Sequence, residues 1–198
     1  MIVHLRRSIT FALICMMFFG FVYAFAGTGV AQLLFKNQAN GSITANGSTL
    51  IGQNWTSPKF FHGRPDDSGP YAANAKTHTS GGDNPLVANG FSGESGASNL
   101  GPHSKVLLAN TQTLVAYWHS MGVNPTPDLV TTSGSGYDPD ISPQDALVQI
   151  PMVAKATGQS AVTLTKLINS QTHGPQFGFL GASYIDVLQL NEALAKLG

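Results

Sequence analysis

Ser95 is the residue closest to a nucleophile in this chain, because Gly93-Glu94-Ser95-Gly96-Ala97 approaches the strained strand-to-helix turn that exposes a catalytic serine. The pattern lacks its last glycine, and its neighbours read as loop, so a polar turn explains it better and a serine hydrolase stands as an alternative. Ser133-Gly134-Ser135-Gly136, ahead of Asp138, could present backbone N–H groups to an anion, but no Gly-Lys-Ser/Thr ending follows to place a lysine and a magnesium-binding hydroxyl. Asp138, Asp140 and Asp145 could gather a cation, yet acidic groups at this spacing before an apolar run are expected to cap and solvate a helix N-terminus. The histidines at 4, 62, 78, 103, 119 and 173 show no metal-ligand spacing and read as scattered loop and surface residues. Asn40, Asn46 and Asn54 each begin an Asn-x-Ser/Thr triplet, which matters only in a eukaryotic secretory setting.

The elements that must hold these residues are legible in part. Ser104 to Met121 predicts a helix with a broad apolar side made of Val106, Leu107, Leu108, Leu114, Val115, Tyr117, Trp118 and Met121, closed by Gly122. A second helix opens with Ser142 as N-cap, Pro143 in the first turn and Asp145 three residues after the cap; it is disturbed at Pro151 and ends at Gly158. A third starts near Ser160. Leu50 to Trp55 and Asp128 to Thr132 read as short strands, Phe177 to Leu180 and Tyr184 to Leu190 as strand-like or mixed, and a short helix from Asn191 closes the chain. Phe60 to Pro102 is rich in Gly, Pro, Ser and Asn, and a loop that long in a small domain is usually functional or ordered by a partner. Interleaved strands and helices give an α+β (mixed α/β) domain.

Ahead of that domain, Ile9 to Ala26 is almost wholly apolar, and no charged side chain occurs from Ser8 to Phe35. About 20 such residues cross a hydrocarbon core about 30 Å thick as a helix. Ile9, Phe11, Leu13, Ile14, Phe18, Phe19, Phe21 and Val22 are the side chains expected to face lipid, with Tyr23 and Phe25 near an outer aromatic belt. Arg6 and Arg7 stand before the run and nothing basic follows soon after it, so the N-terminus is expected in the cytoplasm. The organisation is then 1–8 cytoplasmic, 9–30 transmembrane, 31–48 juxtamembrane and 49–198 an extracytoplasmic domain. A cleaved signal peptide competes, because Ala24-Phe25-Ala26 fits a cleavage site, and release after it would leave an exported ligand-binding module. The retained anchor is favoured because the apolar stretch exceeds a usual signal core and resumes at Val30, Leu33, Leu34 and Phe35.

The 198 residues allow one domain plus the membrane segment. Charged residues are only 10% of the chain, with 10 basic against 10 acidic, so no field gathers phosphates and nucleic-acid binding is set aside. Cys15, the one cysteine, lies inside the apolar run and offers no disulfide framework.

In order along the chain come the apolar helix, Leu50-Ile51-Gly52-Gln53, Phe60-Phe61-His62-Gly63-Arg64-Pro65, Ser95-Gly96-Ala97-Ser98-Asn99-Leu100-Gly101-Pro102, the run Asp128 to Pro143, Gln149-Ile150-Pro151 to Ala154, Gly178-Phe179-Leu180-Gly181 and Val187 to Asn191. This ordered set, covering nearly the whole chain, resembles the C chain of the bacterial and archaeal high-affinity potassium-transporting ATPase, the Kdp complex. Ala97, Met152 and Asp66 depart from the usual residues of that pattern. The resemblance implies a non-catalytic, single-span accessory subunit of the plasma membrane. It also implies two partners, a channel-like potassium-binding chain and a P-type ATPase chain whose ATP binding this subunit promotes. ATP and potassium would then be handled by the complex, with no cofactor bound tightly here. Gln53, Arg64, Pro65, Ser95, Gly96, Ser98, Asn99, Asp128, Ser133, Gly134, Ser135, Gly136, Asp138 and Gln149 are the motif residues it marks for interaction. Gln149 is expected on a helix, as a surface glutamine or as a polar contact of functional weight.

Overall fold

The computed structural model describes residues 2–53, 55, 57–65 and 97–197, and divides into two units, Met1–Ala45 and Asn46–Gly198. Ser95 and Gly96, with most of the long loop, lie outside the described residues.

In the first unit, helical geometry runs unbroken from Ile2 to Leu34 as α1 (Ile2–Met17), a π-helical turn (Phe18–Val22) and α2 (Tyr23–Leu34), followed by the single turn α3 (Lys36–Ala39). The 33 residues make a helix about 50 Å long, more than a bilayer core requires. Its apolar side chains are exposed, Phe11 at 70% and Phe25 at 71%, which water penalises and lipid does not. At the π turn the Tyr23 N–H reaches back five residues to the Phe18 carbonyl, and the hydroxyl of Thr28 is satisfied by the Ala24 carbonyl at 2.9 Å.

The second unit is built from helices around a minimal sheet. α4 (Lys105–Ser120) leads to a 3₁₀ turn (Asp128–Val130), β1 (Asp140–Ile141), α5 (Pro143–Val148), α6 (Ile150–Thr157), α7 (Ala161–Gln171), β2 (Ile185–Asp186) and α8 (Val187–Ala195). β1 and β2 pair antiparallel, Asp140 opposite Asp186 and Ile141 opposite Ile185. α7 packs against α5, α6 and α8, and α4 contributes Leu114 and Trp118, both fully buried.

Helix starts follow from local chemistry. Ser104, Ser142, Ser160 and Asp186 each sit in extended conformation and accept from the N–H three residues on. At Ser142 the box is reciprocal, since Asp145 accepts from the Ser142 N–H at 2.8 Å. Gly158, at φ +75°, ends α6 in the left-handed conformation that a side chain resists.

Four expectations are corrected. Asp128–Thr132 is not a strand: Pro127 starts a tight turn, its carbonyl takes the Val130 N–H at 3.2 Å, and Leu129 and Val130 are both buried, which alternation on a strand would not allow. The expected strand from Leu50 to Trp55 is absent among its described residues: Leu50 and Ile51 turn, and Gly52 donates to the Tyr137 carbonyl at 2.8 Å instead of joining a ladder. The last helix begins at Val187, not Asn191, because Asp186 caps it and leaves only two residues for β2. The outer side of α4 is less apolar in use than in composition, since Val106 and Leu108 are 49% and 60% exposed.

Replacing Ser142 by Ala removes the acceptor for the Asp145 N–H. It should cost about 1 kcal/mol, read as a melting-temperature drop of about 2–4 °C in the detergent-solubilised chain.

Candidate functional site

Phe61 and His62 run through the domain interior, 0% and 1% exposed, with no strand paired to them among the described residues. Two buried carboxamides take the place of one. Asn191, on α8, accepts from the Phe61 N–H at 2.8 Å and donates to the Phe61 carbonyl at 2.8 Å. Gln149, between α5 and α6, accepts from the His62 N–H at 2.8 Å and donates to the His62 carbonyl at 2.9 Å and to the Asp145 carbonyl at 3.2 Å. Gln149 is 0% exposed, so the surface-glutamine expectation is corrected; its position follows from the break before Pro151, which turns the chain inward there.

His62 is likewise a core residue and not a surface one. Its Nε2 donates to the Ser57 carbonyl at 3.0 Å and its ring lies 5.5 Å from Trp118, whose indole N–H reaches the Leu129 carbonyl at 2.9 Å. Burial pushes its pKa below the usual histidine value, partly opposed by the Ser57 bond. Asn191 was legible only as a member of the closing helix, because the backbone it clamps is 130 positions away.

The clamp fixes where Arg64 emerges, two residues on. Its guanidinium donates to the Thr132 carbonyl at 3.0 Å and more weakly to the Thr131 carbonyl at 3.4 Å, and it stands 3.6 Å from Asp138 and 3.8 Å from Asp128. One cation thus gathers the 3₁₀ turn, the Ser-Gly-Ser-Gly turn and the approach to β1. In that turn Ser133 Oγ meets Ser135 Oγ at 3.1 Å and accepts from the Gly136 N–H at 3.0 Å, while Ser135 Oγ accepts from the Tyr137 N–H at 3.2 Å. Gly134 lies at the turn's outer edge, exposed, and Gly136 takes φ +71°. The N–H groups of Gly136 and Tyr137 are thus spent on hydroxyls of the turn itself, which takes two donors from the anion-nest reading. Asp145 accepts from Thr126 Oγ1 besides its part in the α5 capping box, which bears out capping for it, whereas Asp138 accepts from the Asp140 N–H at 3.1 Å in a local turn and Asp140 lies in β1, so neither caps a helix.

Gly52 completes the contact, because a Cβ there would stand 2.8 Å from the Asp138 carbonyl oxygen. Gln53 donates to the carbonyls of Ser48 and Ile51 at 3.2 and 3.0 Å, and Pro65 is buried after Arg64. Ser98 and Asn99 sit on the stretch before α4, Ser98 accepting from the Leu100 N–H at 3.4 Å and Asn99 exposed at φ 54°, and among the described residues neither is brought to Arg64. The cleft lined by Gly52, Gln53, Arg64, Tyr137, Asp138 and Val187 has about 20 Å³, room for a water and not for a nucleotide.

The sequence model described as KdpC, K+-transporting ATPase, c chain, matches residues 5–196. This chain belongs to that family. A potassium-transporting ATPase KdpC subunit of Caulobacter vibrioides (strain NA1000 / CB15N) is 40% identical over 98% of this chain and 93% of its own length. One of Rhodopseudomonas palustris (strain TIE-1) is 42% identical over 98% and 97%, and one of Bacillus cereus (strain AH820) is 38% identical over 98% and 93%. In this member of the family the fold brings Arg64, Asp128, Ser133, Gly134, Ser135, Gly136 and Asp138 into one contact region. Gln149 acts behind it as the clamp.

β1 and β2 add a titratable pair. Burial, then the charges of Asp138 and Asp186, push Asp140 up to about 6, with His173 opposing. Burial also raises Asp186, against the lowering effect of its cap bonds. A raised carboxyl pKa favours the folded state most below the unfolded value and loses that contribution as pH climbs through the folded one; His62, shifted down, loses its contribution as pH falls. Asp140→Asn should therefore raise the melting temperature near neutral pH, with the gain vanishing near about pH 4, in melts across that range.

Gln149→Leu should cost about 2–4 kcal/mol, since two buried backbone groups of His62 lose partners. Adding Asn191→Leu should cost less than the sum, because both act on one segment; denaturant titration of the two single variants and the double checks this.

Proposed function

We propose that this chain is the single-span accessory subunit of an ATP-driven potassium-uptake pump, needed for assembly of the complex and promoting ATP binding by its P-type ATPase subunit without catalysing anything itself. The family match over residues 5–196, joined to a helix able to cross a bilayer, carries this reading. The N-terminus lies in the cytoplasm, beside Arg6 and Arg7, and the domain from residue 49 lies on the far side of the plasma membrane. The partners are the channel-like potassium-binding subunit and the P-type ATPase subunit, with lipid around the anchor and no nucleic acid.

The water-sized cleft beside Arg64 supports an indirect effect on ATP. Nucleotide binds on the cytoplasmic side, so an extracytoplasmic domain acts on it through a coupling free energy between separate sites. ATP and potassium are accordingly ligands of the complex, and this chain holds no tight cofactor of its own.

Deleting the chain should abolish co-purification of the other subunits from solubilised membranes and the potassium-dependent ATPase activity. An intact, fully active complex without it would refute the reading. Protease added to the outer face of the membrane should digest the domain and spare a fragment holding Ile2–Leu34, whereas digestion of Arg6 and Arg7 instead would reverse the orientation.

A further inference from the structure

Between α7 and β2 the chain makes a hairpin whose form and composition are at odds with life in water. His173 and Tyr184 exchange backbone bonds of 2.9 and 3.0 Å, and their rings stack at 5.0 Å. Further out Gln176 and Leu180 exchange two more, both 2.9 Å. At the tip Phe177 and Gly178 take φ 53° and 82°, and the Phe179 N–H closes on the Gln176 carbonyl at 3.2 Å. Two left-handed residues in succession are the signature of a mirror-image turn, whose first position ordinarily takes Asn or Gly. Here it holds a phenylalanine, whose Cβ makes that conformation costly.

The ring gains nothing from its own domain in return. Phe177 is 86% exposed, Phe179 75% and Leu180 50%. From Leu167 to Ile185 there is no Asp, Glu, Lys or Arg. A strained residue held in place by two rungs of hydrogen bonds, displaying an aromatic ring outward, points to a use outside the domain.

We propose that this tip is a preformed anchor that inserts Phe177 and Phe179 into an uncharged apolar cleft on another protein subunit of the potassium-transporting ATPase; the proposal rests on the chain being a subunit of that complex. Charge selects the occupant. An anionic lipid surface recruits Lys and Arg beside the aromatics, and the hairpin has neither. A fluid bilayer also offers no fixed shape to reward a rigid, strained tip. A cleft on a subunit matches an anchor whose ordering cost has been met before binding, with aromatic side chains at its centre.

The test places benzoylphenylalanine at position 177 of the full chain, assembled with the other subunits in membranes, and irradiates it. A covalent adduct with another subunit, identified by mass spectrometry, is the expected result. An adduct with lipid, an adduct with a second copy, or no adduct while the other subunits still co-purify overturns the anchor and leaves the subunit reading standing. Loss of co-purification by the wild-type chain overturns both. Phe177→Gly removes the ring and the strain together, so its melting temperature should hold or rise while recovery of the other subunits falls about tenfold or more. Undiminished recovery would sink the anchor.

Discussion

The backbone of Phe61 and His62 has to cross the interior with no strand paired to it among the described residues, and the domain meets this with two side-chain amides. Each carboxamide carries a donor and an acceptor at the spacing of a peptide group, so Asn191 and Gln149 together satisfy four main-chain groups. The net gain of each bond is about 1 kcal/mol, but leaving one unmade in the core costs about 1–3 kcal/mol, and that asymmetry makes the arrangement a constraint. Everything downstream is positioned by it. Phe61 fills the core between helices, His62 packs on Trp118, and Arg64 comes out where three turns converge.

Arg64 then does with one charge what a longer sheet would do with many bonds. Its firmest contact is the 3.0 Å bond to the Thr132 carbonyl; the carboxylates at 3.6 and 3.8 Å are loose and partly exposed, and exposed pairs contribute little. Removing the cation would therefore be felt mostly through the carbonyl bonds and the turn they hold. A sheet of two residues per strand cannot order these loops itself, so side chains to backbone carry the work.

Legibility followed the range of the interaction. The caps at Ser104, Ser142 and Ser160 and the stop at Gly158 could be read because cap and partner lie within four residues. Asp128–Thr132 misled because a β-branched, apolar stretch has strand propensity, whereas Pro127 and the anchorage of Leu129 by Trp118 decide the backbone. The disturbance at Pro151 was visible, but not its consequence, since the segment that Gln149 grips is 87 positions earlier. The ordered motif set exposed the family, while the division of labour within it needed coordinates.

That division bears on how such a chain works. Arg64, Ser133, Ser135, Asp138 and Gln149 are chemistry-bearing types gathered by the fold, and each is occupied with its own backbone or with a neighbour. Residues spent this way brace the turns around Arg64, and the cleft they line has room for a water only. Stiffness is what an accessory subunit needs if a contact on one face is to be felt elsewhere, because a coupling between sites is lost when the connecting element yields locally. The interior of this domain is therefore the means of holding its surfaces in place.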